Sequence, residues 1–234
     1  MGGMKRIYGR IPHLPGSRTG PADRTLDPCM ALRLTSVARP GDLVHVQEKL
    51  DGTCVAVLRL EGDLLAYGWE GRLCSLSLND NRRAFAVWLE QNQRRFSWLK
   101  EGERAVFEWL PVAHGTRYHL PHEPLVVLDV FEASGHRMPL LEMKSRVHNA
   151  GFCSPALLHS GEALSISSAL QNLGPHGHHG AIDSAEGVIY RLERGREVLQ
   201  LAKFVRQGKQ DGCFLSDHTG EPPVFNLYPK EVHA

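Results

Sequence analysis

The chain has 234 residues, of which 42% are hydrophobic and 23% are charged, and its formal net charge is +1. This length and composition are typical of a globular protein with one large domain or two small ones and a substantial core. The even charge balance argues against a module that coats nucleic acid non-specifically, because such modules are strongly basic. The near-neutral net charge is still compatible with an enzyme that binds a nucleic acid at one local site.

The sequence shows no targeting signal and has widely spaced cysteines, so we expect a cytoplasmic location. No apolar run approaches the roughly 18 residues that a membrane-spanning helix needs. Residues 1–15 lack the apolar core of a signal peptide. The five cysteines are scattered and form no Cys-x-x-Cys pair, which predicts reduced thiols rather than disulfides or a zinc site.

In chain order, the sequence predicts an irregular N-terminal segment followed by alternating strands and helices. Residues 1–42 are rich in Gly and Pro and are predicted to wrap the domain with a short element or two. Apolar and alternating runs then predict strands, and spacings of three and four predict helices. The predicted strands are 43–48, 53–60, 64–69, 105–110, 125–131, 187–192 and 198–205, and the predicted helices are 79–99, 140–150 and 162–173.

The segment 174–180 is rich in glycine and histidine. Its imidazoles suit a metal ion, but glycine at three of the seven positions leaves such ligands poorly preorganised. The composition therefore favours a mobile loop over a metal site.

The most informative motif is Lys49-Leu50-Asp51-Gly52, which follows the predicted strand 43–48. This arrangement suits an enzyme whose lysine attacks a nucleotide phosphate. The strand would fix the amine, Asp51 would organise the polar site, and Gly52 would let the backbone approach a ligand closely. By itself the pattern also describes an exposed lysine before a turn.

Three more charged residues lie within or at the end of predicted strands, namely Glu108, Glu186 and Lys203. Charged side chains flanked by apolar strand neighbours are costly to bury unpaired, so they either face solvent or line a polar site. For one such residue a solvated sheet face is the default explanation. Together with Lys49, the four favour a shared polar site.

The order Lys-x-Asp-Gly, strand glutamate, Glu-Gly-Val and strand lysine resembles the covalent nucleotidyltransferase superfamily of DNA ligases, RNA ligases and mRNA capping enzymes. Segments 107–110, 114–118 and 128–131, and the opening 11–17, look most like the RNA ligase branch. The resemblance covers residues 5–212. It implies an α+β fold, an ATP-grasp-like ligase adenylation domain with antiparallel sheets flanked by helices and the active site in a cleft between them.

The resemblance also implies a domain layout. Residues 1–212 would form the nucleotidyltransferase domain, with 1–42 as its irregular wrap, and 213–234 would be a C-terminal tail. DNA ligases and capping enzymes add an OB-fold of on the order of 70–100 residues after the last motif. Only 29 residues (234 − 205) follow Val205, so we expect no OB-fold here, which favours the RNA ligase branch.

Carried over residue by residue, the resemblance implies a lysyl-adenylate at Lys49. Glu108 would bind the ribose hydroxyls, and Glu186 would hold the divalent metal near the α-phosphate. The other implied nucleotide-binding residues are Glu48 beside the adenine, Asp51, Gly52, Arg72, and Lys203 on the α-phosphate.

The implied cofactors are ATP and Mg²⁺, with Mn²⁺ as the alternative ion. A lysine attacks only as the free amine, and its unperturbed pKa is about 10.4. The metal and Lys203 would lower that pKa by disfavouring the ammonium form. Such enzymes then move AMP to an RNA 5′-phosphate, and a 3′-hydroxyl displaces the AMP. The implied partners are RNA with these two ends and an end-healing kinase or phosphatase, in RNA repair.

The chain departs from the family pattern at three places. Trp69 stands where relatives often have an arginine, and Arg72 follows three residues later. Leu128 replaces an aromatic residue that would stack on adenine. A second lysine after Lys203 is missing, which leaves Arg206 or Lys209 as the second cation.

Two other kinds of function stay open on the sequence. One is another enzyme of the superfamily, either a DNA-nick ligase or a guanylyltransferase that uses GTP. The other is a non-catalytic module that binds RNA ends or nucleotides.

Overall fold

The computed structural model describes residues 7–229. The outer ends of the predicted wrap 1–42 and of the predicted tail 213–234 lie outside these residues. Over the described range the fold is α+β, with two antiparallel four-stranded sheets, as the sequence predicted. The strands are β1 (Leu43–Lys49), β2 (Thr53–Leu60), β3 (Asp63–Gly68), β4 (Arg104–Trp109), β5 (Leu125–Phe131), β6 (Leu157–Gly161), β7 (Gly187–Arg194) and β8 (Glu197–Val205). The α-helices are α1 (Pro28–Thr35), α2 (Asp80–Gln91), α3 (Leu140–Asn149), α4 (Ile166–Leu173) and α5 (Ser216–Thr219).

The described residues form two compact units, each assembled from separate stretches of chain. The first unit contains residues 7–9, Gly52–Pro111 and Pro124–Ser154. The second unit contains Arg10–Asp51, Val112–Glu123 and residues 155–229. The Lys-x-Asp-Gly motif is therefore divided, because Lys49 to Asp51 belong to the second unit and Gly52 to the first.

The first unit is built on the sheet β3-β2-β4-β5. Every residue of β5 except Leu128 is buried, which agrees with its nearly unbroken apolar sequence. Helix α2 packs through an aromatic cluster in which the ring of Phe85 lies 5.5 Å from that of Trp109 on β4. This cluster accounts for the apolar face that the sequence showed.

Helix α2 is shorter than the predicted helix 79–99. It begins after Asn79, whose side chain accepts a hydrogen bond from the Arg82 N–H, and it ends at Asn92. The Asn92 amide donates to Trp88 O at 2.8 Å, and the chain continues as a short 3-10 helix, Gln93–Phe96. An asparagine side chain that competes for backbone groups in this way favours the end of a helix.

The second unit is built on the sheet β6-β1-β7-β8. One face of this sheet is apolar and packs against α1 and α4, with Val46 and Val188 at its centre. Because side chains alternate along a strand, Lys49 lies on the opposite face of β1 from Val46. Antiparallel pairing of β1 with β7 sets Lys49 directly across from Gly187.

Three elements of the second unit were absent from the sequence prediction as defined elements, namely β6, α1 and the four-residue α5. Strand β6 is short and half polar, and α1 lies in the Gly- and Pro-rich segment, where the Asp27 side chain caps the helix and Pro28 opens it. Within residues 7–229, no helix combines the length and the apolar character needed to cross a membrane.

Candidate active site

Lys49 and Glu186 form an ion pair at the end of the second unit's sheet. Lys49 ends β1, and Glu186 comes directly before β7, so the pairing of these two strands brings the side chains together. Lys49 Nζ lies 2.5 Å from Glu186 Oε2. Glu186 is only 5% exposed, and burial raises its pKa to about 7 although the charge of Lys49 lowers it.

Lys203 belongs to the same polar group. It lies on β8 opposite Ile189 of β7, and its Nζ is 3.9 Å from Asp23 Oδ1. Burial lowers the pKa of Lys203, and the positive charge of Lys49 lowers it further. The structure thus brings the lysines of the first and the last sequence motif within electrostatic reach of each other.

Asp23 and His13 support Lys203 from the N-terminal segment, where the sequence singled out neither as a site residue. Lys203 O accepts the Leu14 N–H at 2.8 Å, so the segment runs along β8. His13 Nε2 lies 3.1 Å from Asp23 Oδ2, and His13 Nδ1 lies 2.7 Å from Ser17 Oγ. Burial lowers the pKa of His13, and Lys203 lowers it further. The resemblance of segment 11–17 to bacterial RNA ligases was the only sequence signal for this support.

Asp51 is held by the loop 112–120 of the second unit. Asp51 Oδ2 accepts the Gly115 N–H at 2.9 Å, and the Asp51 N–H donates to Tyr118 Oη at 3.1 Å. A side chain at Gly115 would collide with Gln210 O, because a Cβ there would lie 2.2 Å from it. The loop therefore fixes both the main chain and the carboxylate of Asp51, and the predicted role of Asp51 in nucleotide binding stays a prediction.

Glu48 lies on the opposite face of β1 from Lys49, since neighbouring strand residues alternate. Its carboxylate is 1% exposed and accepts the His178 N–H at 2.8 Å. Burial raises the pKa of Glu48, and the His178 N–H lowers it. Its predicted contact with adenine stays a prediction.

The Gly- and His-rich segment 174–180 is a series of turns with specific anchors rather than a loop without partners. His178 binds Glu48, and His179 is 6% exposed with Nδ1 2.7 Å from His122 Nε2. Gly177 has a φ of +62° and approaches Glu48 so closely that a Cβ would lie 2.1 Å from Oε1. Among the residues that the structure describes, no group of three His, Cys, Asp or Glu side chains is arranged to hold a metal ion.

The two candidates for a second cation after Lys203 are both engaged elsewhere. Lys209 is 8% exposed and donates to Gly115 O, Thr116 Oγ1 and Ser184 O at 2.7–2.9 Å. Arg206 Nη2 donates to Gly174 O at 2.6 Å. The three hydrogen bonds of Lys209 use all three N–H donors of its ammonium group. Lys209 therefore stabilises the fold and has no donor left for a phosphate.

The first unit holds the remaining predicted site residues. Glu108 Oε1 accepts the Gly52 N–H at 2.8 Å, and a Cβ at Gly52 would lie 2.8 Å from Trp109 O, so the Gly52 backbone packs closely against β4. Its approach to a ligand stays a prediction. Arg72 is exposed, while Trp69 and Leu128 pack against one apolar cluster. The ribose contact of Glu108 and the nucleotide contact of Arg72 stay predictions.

Glu186 fits the role of a single carboxylate ligand. Mg²⁺ is held by one or two protein carboxylates and takes its other oxygens from water and phosphates. A buried carboxylate with a raised pKa that contacts a lysine also gains from a nearby cation, because the cation favours its ionised form. The same arrangement presents Lys49 and Lys203 as positive charges for an anionic ligand.

Comparisons with known proteins were made for the whole chain. No family model and no curated protein matches it. An archaeal ATP-dependent RNA ligase (form 2) is 19% identical with a TM-score of 0.48, over 70% of this chain and 42% of that chain. A Naegleria gruberi RNA ligase with PPi is 14% identical with a TM-score of 0.49, over 77% of this chain and 53% of that chain. A Naegleria gruberi RNA ligase mutant with ATP and Mn is 13% identical with a TM-score of 0.49, over 86% of this chain and 59% of that chain.

The chain thus spans about half the length of the solved structures it matches. Identity and TM-score are both low, so these likenesses assign no function to the chain.

Proposed function

We propose that this chain is an ATP-dependent RNA ligase that forms a lysyl-adenylate at Lys49. The observation that carries the proposal is the 2.5 Å ion pair between Lys49 and Glu186, with Lys203 on a nearby strand of the same sheet. A partly buried lysine, with 20% of its side chain exposed, that lies near a carboxylate and a second lysine suits an amine nucleophile for an α-phosphate.

In the first step Lys49 Nζ, as the free amine, attacks the α-phosphorus of ATP. A P–N bond forms while the bond from the α-phosphorus to the bridging oxygen breaks, and pyrophosphate leaves with the electron pair. Lys203 offsets negative charge on the α-phosphate. The Lys49 ammonium, which is paired with Glu186, has to lose a proton before Lys49 can react, because an ammonium has no lone pair.

Glu186 is the proposed ligand of the divalent cation, and we propose Mg²⁺ with Mn²⁺ as the alternative. When bound, the cation would offset charge on the carboxylate and on the phosphates. Asp51 and Gly52 keep the backbone after Lys49 in place, and Glu108 is the proposed ribose ligand.

In the later steps AMP passes from Lys49 to the 5′-phosphate of an RNA strand, and a 3′-hydroxyl then displaces AMP to join the ends. Part of the proposal is that the protein works in RNA repair in the cytoplasm. An end-healing kinase or phosphatase as partner stays a prediction.

The test is incubation with ATP labelled at the α-phosphate, with and without Mg²⁺ or Mn²⁺, followed by a denaturing gel. GTP is run alongside, and Lys49→Ala is compared with Lys100→Ala, which removes an exposed lysine. We expect label from ATP on the wild type and on the Lys100 variant only. A labelled Lys49→Ala protein would refute the assignment of the nucleophile.

The same experiment separates the other functions. Label from GTP alone would indicate a guanylyltransferase, and sealing of nicked DNA in preference to RNA ends would indicate a DNA ligase. A folded protein that takes no label, and whose mass shows that it carries no AMP already, would indicate a non-catalytic nucleotide-binding module.

A further inference from the structure

We infer that residues 221–229, here called the C-terminal strap, position Asp51 for the reaction at Lys49, and that Asn226 is the positioning residue. The inference rests on the proposed function for its kinetic readout. Its structural basis is a chain of hydrogen bonds within the second unit that runs from the strap through the loop 112–120 to Asp51.

The first link joins the strap to the loop. The Ala113 N–H donates to Val224 O at 2.9 Å, and the Leu120 N–H donates to Leu227 O at 2.8 Å. Both ends of the loop are therefore tied to the strap through main-chain hydrogen bonds.

The second link is the backbone of Tyr118. Its N–H donates to Asn226 Oδ1 at 2.8 Å, and its carbonyl accepts the Leu227 N–H at 3.0 Å. The strap thus satisfies both main-chain groups of Tyr118. Because Tyr118 is 1% exposed and Asn226 is 4% exposed, the loss of the Asn226 amide would leave a buried N–H without its partner.

The third link joins the loop to Asp51. Tyr118 Oη accepts the Asp51 N–H at 3.1 Å, and the Gly115 N–H donates to Asp51 Oδ2 at 2.9 Å. Burial raises the pKa of Tyr118 well above its usual value, and the charges of Asp51 and Glu186 raise it further, so its hydroxyl stays protonated. The main chain and the carboxylate of Asp51 are therefore both set by the loop.

The strap's own side chains show that it acts through hydrogen bonds rather than through burial of apolar surface. Phe225 is 66% exposed and Leu227 is 60% exposed, whereas Asn226 between them points inward. The sequence shows little pattern here, yet Asn226, which stands between two exposed apolar residues, reaches Tyr118. A small displacement of a positioning contact is enough to slow a reaction that depends on in-line geometry.

The test compares Asn226→Ala with Asn226→Asp, which keeps an acceptor oxygen, and with Phe225→Ala as the matched control. The rate of lysyl-AMP formation is measured against ATP concentration, and amide hydrogen exchange is followed at Asp51 and Gly115. For Asn226→Ala we expect a roughly 10-fold lower kcat, a KM for ATP changed by less than about threefold, and faster exchange at both amides. Asn226→Asp should recover most of the rate, and Phe225→Ala should equal the wild type.

Tyr118→Phe keeps the ring and removes only the acceptor for the Asp51 N–H, so it tests the inference even where Asn226→Ala fails to fold. Since both residues act through Asp51, the double variant should be no slower than the slower single variant. Multiplied effects of the two substitutions, or an Asn226→Ala protein with wild-type rate and wild-type exchange, would overturn the inference.

Failure of the proposed function gives a different result. If the wild type forms no lysyl-AMP, hydrogen exchange alone decides. Faster exchange at Asp51 and Gly115 in Asn226→Ala but not in Phe225→Ala supports the strap, and unchanged exchange refutes it.

Discussion

Lys49 and Glu186 lie side by side at the end of the second unit's sheet, with 2.5 Å between Nζ and Oε2, although 137 positions separate them in the sequence. The pair is set by the register of β1 and β7, in which Lys49 faces Gly187. Because Glu186 is almost fully buried, its charge is costly, and the contact with Lys49 offsets only part of that cost.

Glu186→Gln should change the pH dependence of stability. Burial raises the pKa of Glu186 from 4.5 to about 7 in the folded protein. The folded state therefore retains a proton that the unfolded chain has released, and this contribution to stability is complete below pH 4.5 and is lost as pH rises through about 7. Glutamine does not titrate. Between pH 5 and 8 the free energy of unfolding of the variant should therefore rise relative to that of the wild type by on the order of 1–3 kcal/mol.

Urea unfolding at several pH values measures this difference. Asp183→Asn is the matched control, since hydrogen bonds from Arg117 lower the pKa of Asp183, and its titration lies below this pH range. The control difference should be flat. A flat difference for Glu186→Gln as well would show that Glu186 has an ordinary pKa.

Lys203→Met should slow lysyl-AMP formation by on the order of 100-fold, because it removes a half-buried positive charge that faces the transferring phosphate in the proposed reaction. Lys203→Arg keeps the charge and should lose less. Single-turnover labelling with saturating ATP measures both rates. Equal rates for Lys203→Met and the wild type would exclude a phosphate contact of Lys203.

Gly177→Ala should destabilise the protein more than Gly174→Ala. Both glycines have positive φ angles, +62° and +69°, so alanine costs roughly 1 kcal/mol of backbone strain at either position. Only at Gly177 does the new Cβ also meet the buried Glu48 carboxylate, whereas at Gly174 nothing lies within 4 Å. Overpacking of this kind should lower the free energy of unfolding of Gly177→Ala by roughly a further 1–3 kcal/mol, as measured by thermal or urea unfolding. Equal losses would mean that the turn adjusts without moving Glu48.

Lys209→Met should cost roughly 2–4 kcal/mol of unfolding free energy, because two buried acceptors, on Gly115 and Thr116, and a third on the exposed Ser184 lose a charged donor at once. Thr116→Val removes one of those acceptors and should cost about 1 kcal/mol. Urea denaturation compares the two. If Lys209→Met keeps wild-type stability but loses affinity for ATP, Lys209 is a ligand-binding cation and not a structural one.

Local patterns predicted much of the fold because burial repeats along a single element. Strands β2 and β5 have the predicted bounds, since each carries a strong apolar run between turn residues. The predicted helix 79–99 was too long, because Asn92 ends α2 through a side-chain contact that periodicity does not reveal. Strand β6 was missed, because a short, half-polar strand is stabilised by its pairing with β1 rather than by its own sequence.

The sequence by itself determined the types of side chain available for chemistry and their order along the chain: the Lys49 motif, Glu108, Glu186 and Lys203. Tertiary structure alone decided their partners. Glu48 and Lys49 are neighbours in sequence, but their side chains lie on opposite faces of the strand. The Glu48 carboxylate therefore contacts His178, and the Lys49 ammonium contacts Glu186. Lys209 became a buried support and Asn226 a strap residue because distant main-chain groups needed donors and acceptors, and that need exists only once the chain is folded.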